Sequence, residues 1–369
     1  MSHSYFKYLP YIFYKKAHLL SLTFFVTHRC NFRCQHCFFL DKLNPKDFKE
    51  LSLDEIGKMA SCMDDLLFMS VTGGEPFLRE DIVDIIKIFY KNNQLKNLVI
   101  PTNGFLEDKI LSGSSGILEN CPELGFNIGI SIDDFEEEHD KLRGVKGSFK
   151  RAINTFFELK KLKKDFPHLS IEIVTTMNAK NQHNLERFYD FVLGELQPDA
   201  VNLSLVRGKP GNTDLLNFDL DIYKRIVNKI QNAYVEGNLS GYRNFSLSNY
   251  AFSVRMISPQ ILMKLIEEDR WQIPCLAGTF SGVLYSNGDL YPCEMLNRKI
   301  GNVRDVNYNL KELWSSEKAE KIRSFIHRSK CYCEHPCNFT INLLFNWRYL
   351  VDILYYGTKF YLIQKFKKK

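Results

Sequence analysis

Between residues 21 and 206, short apolar runs rich in β-branched and aromatic residues alternate with longer stretches of helical period. Residues 21–26, 67–71, 96–100, 125–131, 170–175 and 200–206 read as strands. Ser52-Leu-Asp-Glu55 sets a serine and a glutamate three apart ahead of Ile56, Met59 and Ala60, a capping-box start for a helix. Residues 81–91, 148–164 and 183–196 carry the same period. Such alternation predicts a parallel sheet with right-handed crossovers, either doubly wound or curled into a barrel. In both cases ligands bind at the carboxyl ends of the strands.

Beyond residue 211 the pattern changes. Residues 212–270 have helical spacing and no turn-bounded strand, and read as a helical linker. From Trp271 the chain turns to Cys275 and then to Val283-Leu-Tyr-Ser-Asn-Gly-Asp-Leu-Tyr291, two β-rich runs around Asn287-Gly288 that predict a hairpin. The expected organisation is a basic, aromatic segment 1–20, a core 21–211, the linker 212–270, a small α+β cysteine-bearing domain 271–340, and a C-terminal segment 341–369. In that last segment residues 343–356 have apolar positions at helical spacing, followed by Gly357 and a basic, aromatic run.

Composition narrows this frame. A chain of 369 residues, 45% hydrophobic, buries a large core as one big domain or two modest ones. The formal net charge is +6, and residues 341–369 carry six Lys/Arg and one Asp, so the excess is a property of the tail and not a nucleic-acid footprint. There is no signal-peptide pattern and no uninterrupted apolar stretch long enough to span a bilayer, which predicts a cytoplasmic protein or one lying on a membrane surface. The tail helix either grips anionic lipid or packs on the barrel. Ten cysteines are too sparse for a disulfide scaffold, and eight of them fall into two sets.

The first set, Cys30-Asn-Phe-Arg-Cys34-Gln-His-Cys37, leaves the first strand. Three thiolates this close select zinc, copper(I) or an iron–sulfur cluster. Zinc needs a fourth ligand, for which His28 or His36 is available; a [4Fe–4S] cube on three thiolates leaves one iron open. This loop resembles the signature of the radical S-adenosylmethionine superfamily. The resemblance implies a partial (β/α)6 TIM-like barrel. It also implies a [4Fe–4S] cluster on Cys30, Cys34 and Cys37, S-adenosylmethionine chelating the open iron, and a 5′-deoxyadenosyl radical that abstracts hydrogen.

Further stretches resemble the family at successive strand ends. Val71-Thr-Gly-Gly-Glu-Pro76 implies that Gly73, Gly74 and Glu75 meet the methionine ammonium. Pro101-Thr-Asn-Gly104 and Ser131-Ile-Asp133 imply cosubstrate contacts for Thr102, Asn103, Ser131 and Asp133. Arg143 is expected near the carboxylate, and Val206 near the adenine. The resemblance covers about residues 20 to 210.

The second set comprises Cys275, Cys293, Cys331, Cys333 and Cys337, without the paired knuckles of a zinc ribbon. It resembles the auxiliary-cluster modules called SPASM or twitch. That implies one auxiliary [4Fe–4S] cluster on Cys275, Cys293 and two of Cys331, Cys333 and Cys337. A fully ligated cluster transfers electrons and leaves no site for substrate. Cys62 and Cys121 read as packing residues. The expected activity is hydrogen abstraction from a small or carbohydrate-type substrate, the auxiliary cluster taking up an electron, with an external donor such as flavodoxin or ferredoxin. Modification of a ribosomal peptide is the alternative, and a zinc-stabilised binding module with His335 assisting is the rival of another class.

Overall fold

The structure, a computed structural model, describes residues 5–14, 16–241, 248–334 and 338–366. The six expected strands form β1 (Ser21–Thr27), β2 (Phe68–Gly73), β3 (Asn97–Thr102), β4 (Gly125–Ser131), β5 (Leu169–Met177) and β6 (Ala200–Leu205). All neighbouring pairs among them are parallel. After the short α1 (Pro10–Phe13), the crossovers carry α2 (Leu53–Ser61), α3 (Ile82–Asn92), α4 (Glu107–Asn120), α5 (Glu136–Arg143), α6 (Ser148–Asp165) and α7 (Leu185–Phe191), the last continued by a π turn, Val192–Leu196. The strand order β6-β5-β4-β3-β2-β1 never reverses. Each crossover therefore advances one place in the same direction, which is the winding of a partial barrel and not of a doubly wound sheet.

Local chemistry sets these elements. Ser52 Oγ accepts from Glu55 N at 3.3 Å while Glu55 Oε2 accepts from Ser52 N at 2.8 Å, the expected capping box on α2. Every residue of β4 except the last is buried, so this strand is covered on both faces. The sequence reading did not anticipate α4, whose Gly113 and Gly116 resemble helix breakers. Both are packing positions: a Cβ on Gly113 would lie 3.0 Å from the Phe77 ring, and one on Gly116 3.1 Å from Val83.

The helical linker resolves into α8 (Leu220–Val235) and α9 (Ser248–Glu268), with Pro259 inside α9. They cover the β6 edge. The Tyr234 hydroxyl accepts from Val201 N at 3.0 Å, and Arg255 donates to Val201 O at 2.6 Å while pairing with Glu172 at 2.6 Å. At the other edge, β7 (Ser281–Tyr285) pairs parallel with β1, and β8 (Asp289–Tyr291) and β9 (Gly301–Asn302) add antiparallel. The Asn287-Gly288 turn is the expected hairpin, with Gly288 at φ +90°. The chain continues through α10 (Leu310–Trp314), α11 (Glu317–Arg328), α12 (Phe339–Leu344) and α13 (Leu350–Phe366). Gly357 does not end a helix. It lies inside α13, where a Cβ would stand 2.4 Å from the Tyr250 ring of α9.

Arg304, just past β9, ties the hairpin back to the barrel. It donates to both Glu55 oxygens, at 2.7 and 3.1 Å, and the Tyr308 hydroxyl adds a third bond at 3.0 Å. The Arg304 hydrogen bonds hold the Glu55 carboxyl down at about 2, well below its ordinary 4.5. A depressed carboxyl stabilises the fold above its ordinary value and loses that contribution as pH falls through its folded value. Glu55→Gln is expected to lower stability at neutral pH by roughly 2 kcal/mol. It should also flatten the loss of stability between about pH 4.5 and 2, read by urea unfolding at each pH.

Candidate functional site

The carboxyl end of β1 runs directly into the first cysteine loop, which has no regular secondary structure between residues 28 and 39. Side chains and neighbouring loops pin it instead. Asn44 accepts from Cys30 N at 2.9 Å and donates to Cys30 O at 3.0 Å, and Gln35 N donates to Leu142 O at 2.8 Å. The loop also receives β2. Gly74 N donates to Thr27 O at 2.9 Å and Glu75 N to Arg29 O at 2.8 Å. A Cβ on Gly73, which sits at φ +145°, would lie 2.2 Å from Thr27 O, and one on Gly74 2.0 Å from Arg29 O. Only glycine fits at either place.

The three thiols are largely buried and sense one another. Burial pushes the Cys30 thiol up to about 12, with Glu75, Cys34 and Cys37 adding to the rise. Burial likewise pushes Cys34 up to about 11, opposed by Arg143, and raises Cys37. A bound cation reverses that preference and favours thiolates.

Glu75 is buried and accepts from the Thr102 hydroxyl at 2.8 Å, Asn103 N at 2.8 Å and Phe77 N at 3.3 Å. Burial lifts its carboxyl to about 7. Asn103 in turn donates to Asn31 at 2.8 Å, joining the β3 end to the cysteine loop. Asp133 and Arg143, expected as separate contacts, meet each other. Arg143 Nε lies 2.7 Å from Asp133, its Nη1 is 3.9 Å from Cys34 Sγ, and Thr176 N donates to Asp133 at 2.8 Å. Burial alone would raise the Asp133 carboxyl, but Arg143, with His36 and His139, holds it at about 2.

Ser131 closes β4 half-buried, whereas the Val206 side chain turns into a small apolar cluster with Leu142 and Leu215. Its neighbour Arg207 stacks 4.6 Å over Phe38 and lies 3.9 Å from Glu294. Neither Glu294 nor the pinning residue Asn44 stood out in the sequence: a lone acid beside a cysteine and a lone loop asparagine carry no periodic signal.

In the second set, Cys275, Cys293, Cys331 and Cys333 line one cavity of about 170 Å³ with Leu265, Met295 and other mostly apolar neighbours. Burial pushes Cys275 up to about 12, and Cys293, Cys333 and Cys331 add to it. Cys337 and His335 lie outside the described residues. Cys121 is buried in the core, as expected of a packing residue, and Cys62 caps α2.

Both donor sets suit iron–sulfur clusters: three soft thiols in one loop, four around one apolar cavity. Beside the first, His36 Nδ1 and Arg207 Nε are buried without a hydrogen-bond partner, as expected where a further group completes a site. Of the two histidines offered for zinc at this loop, His28 is engaged elsewhere. His28 shares a 2.7 Å hydrogen bond with Ser286, and His36 Nε2 stands 3.6 Å from Asp133. Among the described residues no three His, Cys, Asp or Glu side chains converge on a single-ion position.

Comparison with known proteins agrees with this chemistry. Residues 24–192 match the radical SAM superfamily model, and residues 275–338 match the SPASM iron-sulfur cluster-binding domain. The chain is 27% identical over 205 residues to an Fe-coproporphyrin III synthase of Methanosarcina barkeri, covering 53% of this chain and 46% of that protein. It is 33% identical over 139 residues to the antilisterial bacteriocin subtilosin biosynthesis protein AlbA of Bacillus subtilis, 37% of this chain and 29% of that one. It thus spans less than half the length of either. To an AdoMet-dependent heme synthase of M. barkeri it is 27% identical over 310 residues, covering 81% and 82% of the two chains. Streptococcus suis SuiB bound to S-adenosylmethionine shares the fold, with a TM-score of 0.57, 18% identity, and coverage of 84% and 68%.

The two glycine contacts separate a crowded site from open helix surface. Gly74→Ala should destabilise the chain by roughly 1–3 kcal/mol and reduce iron bound on anaerobic reconstitution. Gly57→Ala, where an added Cβ meets nothing within 4 Å, should stabilise by roughly 0.5–1 kcal/mol. Urea unfolding and iron analysis of both variants check the contrast.

Proposed function

The chain is a radical S-adenosylmethionine enzyme with a C-terminal SPASM domain, and on that premise we propose that it oxidises a small-molecule substrate in two separated steps. Hydrogen is removed beside the first cysteine site and an electron is withdrawn toward the second. When bound, the open cluster and S-adenosylmethionine supply a carbon radical strong enough to take a hydrogen atom. The chain's own groups hold and orient. Cys30, Cys34 and Cys37 would hold the first cluster; Cys275 and Cys293, with two of Cys331, Cys333 and Cys337, would hold the second.

Gly73 and Gly74 let the main chain approach the methionine end of the cosubstrate, and Glu75 faces its ammonium. Thr102 and Asn103 hold the Glu75 carboxylate in place. Asp133 fixes Arg143 beside Cys34, placing a guanidinium next to that thiol. Ser131 and the main chain at Val206 flank the ribose and adenine. A low-potential electron donor reduces the first cluster from outside.

The observation that carries this reading is a continuous contact path between the sites. Phe38 follows Cys37 and lies under Arg207; Arg207 reaches Glu294, which follows Cys293; and a Cβ on Gly208 would stand 3.3 Å from Phe38 and 3.6 Å from Met295, which lines the second cavity. A substrate held at this junction touches the surroundings of both sites. The small-molecule class is supported by similarity to a heme synthase along 81% of the chain. Modification of a peptide is the second reading, favoured by the 33% identity to AlbA over 139 residues.

Cys293→Ala should leave deoxyadenosine formation within about twofold of the parent while bound iron falls from about eight to about four per chain and oxidised product disappears. Unchanged product would overturn the electron-transfer role. Glu75→Gln should weaken S-adenosylmethionine binding by roughly tenfold or more, measured by equilibrium dialysis on cluster-loaded protein, because the ammonium loses its charged partner.

A further inference from the structure

We propose that the solvent face of α13, together with the exposed end of α1, docks on an anionic lipid surface, so that this enzyme works at a membrane interface. The reading starts from the helix itself. One face of α13 is covered: Ile353 and Phe360 are buried, and Gly357 sits against Tyr250 of α9. A helix with one covered face is normally polar on the other. Here the opposite face carries Val351, Leu354, Tyr355, Tyr361 and Leu362, exposed by 44% to 75%.

Their spacing of three and four residues, with Thr358 and Lys365 completing the row, confines them to a stripe about 120° wide. Trp347 stands 60% exposed one turn before Val351. Five of the seven positions in the stripe are thus apolar or aromatic.

A second region extends the surface. Tyr8 and Ile12 of the N-terminal segment pack in one apolar cluster with Ile341 and Phe345, and Tyr11 and Leu350 pack against that cluster. The same packing leaves Leu9, Phe13 and Tyr14 exposed by 50% to 75% at the start of α13. Two segments from opposite ends of the chain therefore present aromatic side chains at one end of the helix. Aromatic residues with one polar end suit the headgroup level of a bilayer.

Charge selects the occupant. Arg348 and Lys359 flank the stripe, Lys365 ends it, and the sequence continues with Lys367-Lys-Lys369, outside the described residues. Asp352 is the only acid in residues 341–369. An apolar strip with a basic margin matches anionic headgroups over acyl chains. Among the described residues no helix is long and apolar enough to cross a membrane, so the contact is with the surface.

The full chain, loaded with iron and sulfide anaerobically, should float with vesicles containing about 30 mol% phosphatidylglycerol and remain at the bottom with pure phosphatidylcholine. The double variant Val351→Glu with Leu354→Glu should reduce flotation by roughly tenfold or more, and Lys359→Glu with Lys365→Glu should reduce it and remove its salt dependence. Iron content and deoxyadenosine formation should match the parent in both, which separates this proposal from the catalytic reading. Parent protein that stays unbound to anionic vesicles at low salt would overturn it. So would sedimentation showing a parent dimer that the Val351→Glu, Leu354→Glu variant converts to monomer, since the stripe would then be covered by a second copy.

Discussion

Everything at the catalytic end of this molecule depends on how closely two backbones approach. Gly73 and Gly74 lie against the carbonyls of Thr27 and Arg29, at a distance no side chain tolerates. The ladder between β1 and β2 thereby continues past the strands into the loops that follow them. The cysteine loop and the Glu75 turn become one surface. A single methyl group at position 74 would separate them, which is why a local steric rule governs the geometry of a site built from five strand ends.

Around that contact, burial decides the electrostatics. Asp133 and Arg143 are both buried, and the guanidinium beside it keeps the Asp133 carboxyl ionised. At Glu75 burial outweighs its three donors and the more weakly felt Arg143, and its carboxyl stands at about 7. The thiols are likewise raised by burial, opposed at Cys34 by Arg143 and at Cys37 by Arg143, Arg207 and Arg33. Thiols that burial keeps protonated ionise when they bind the positively charged core of an iron–sulfur cluster. The β7–β8 hairpin, bonded to β1 on the side opposite β2, brings the second cysteine set into the same body.

Much of this was legible in the sequence, for identifiable reasons. The six strands, the Ser52 cap and the Asn287-Gly288 turn each depend on residues adjacent in the chain. The strand order was not legible, because nothing in β7 alone says that it pairs with β1. Helix α4 was hidden because Gly113 and Gly116 look like breakers until Phe77 and Val83 are seen against them. Gly357 misled in the same way. At the site, the cysteine spacings and the Gly-Gly-Glu segment pointed to the right chemistry, whereas the pairing of Asp133 with Arg143, ten residues apart across a helix, appears only once α5 folds. Glu294 and Asn44 depend wholly on tertiary contact.

A barrel of this kind stays open, and an open sheet has two edges, each a template on which another chain can add a strand. One edge here is β9, two residues long. The other is β6, where the Tyr234 hydroxyl and the Arg255 guanidinium already occupy the main-chain groups of Val201. The linker helices thus protect the protein against polymerisation as well as connecting its halves.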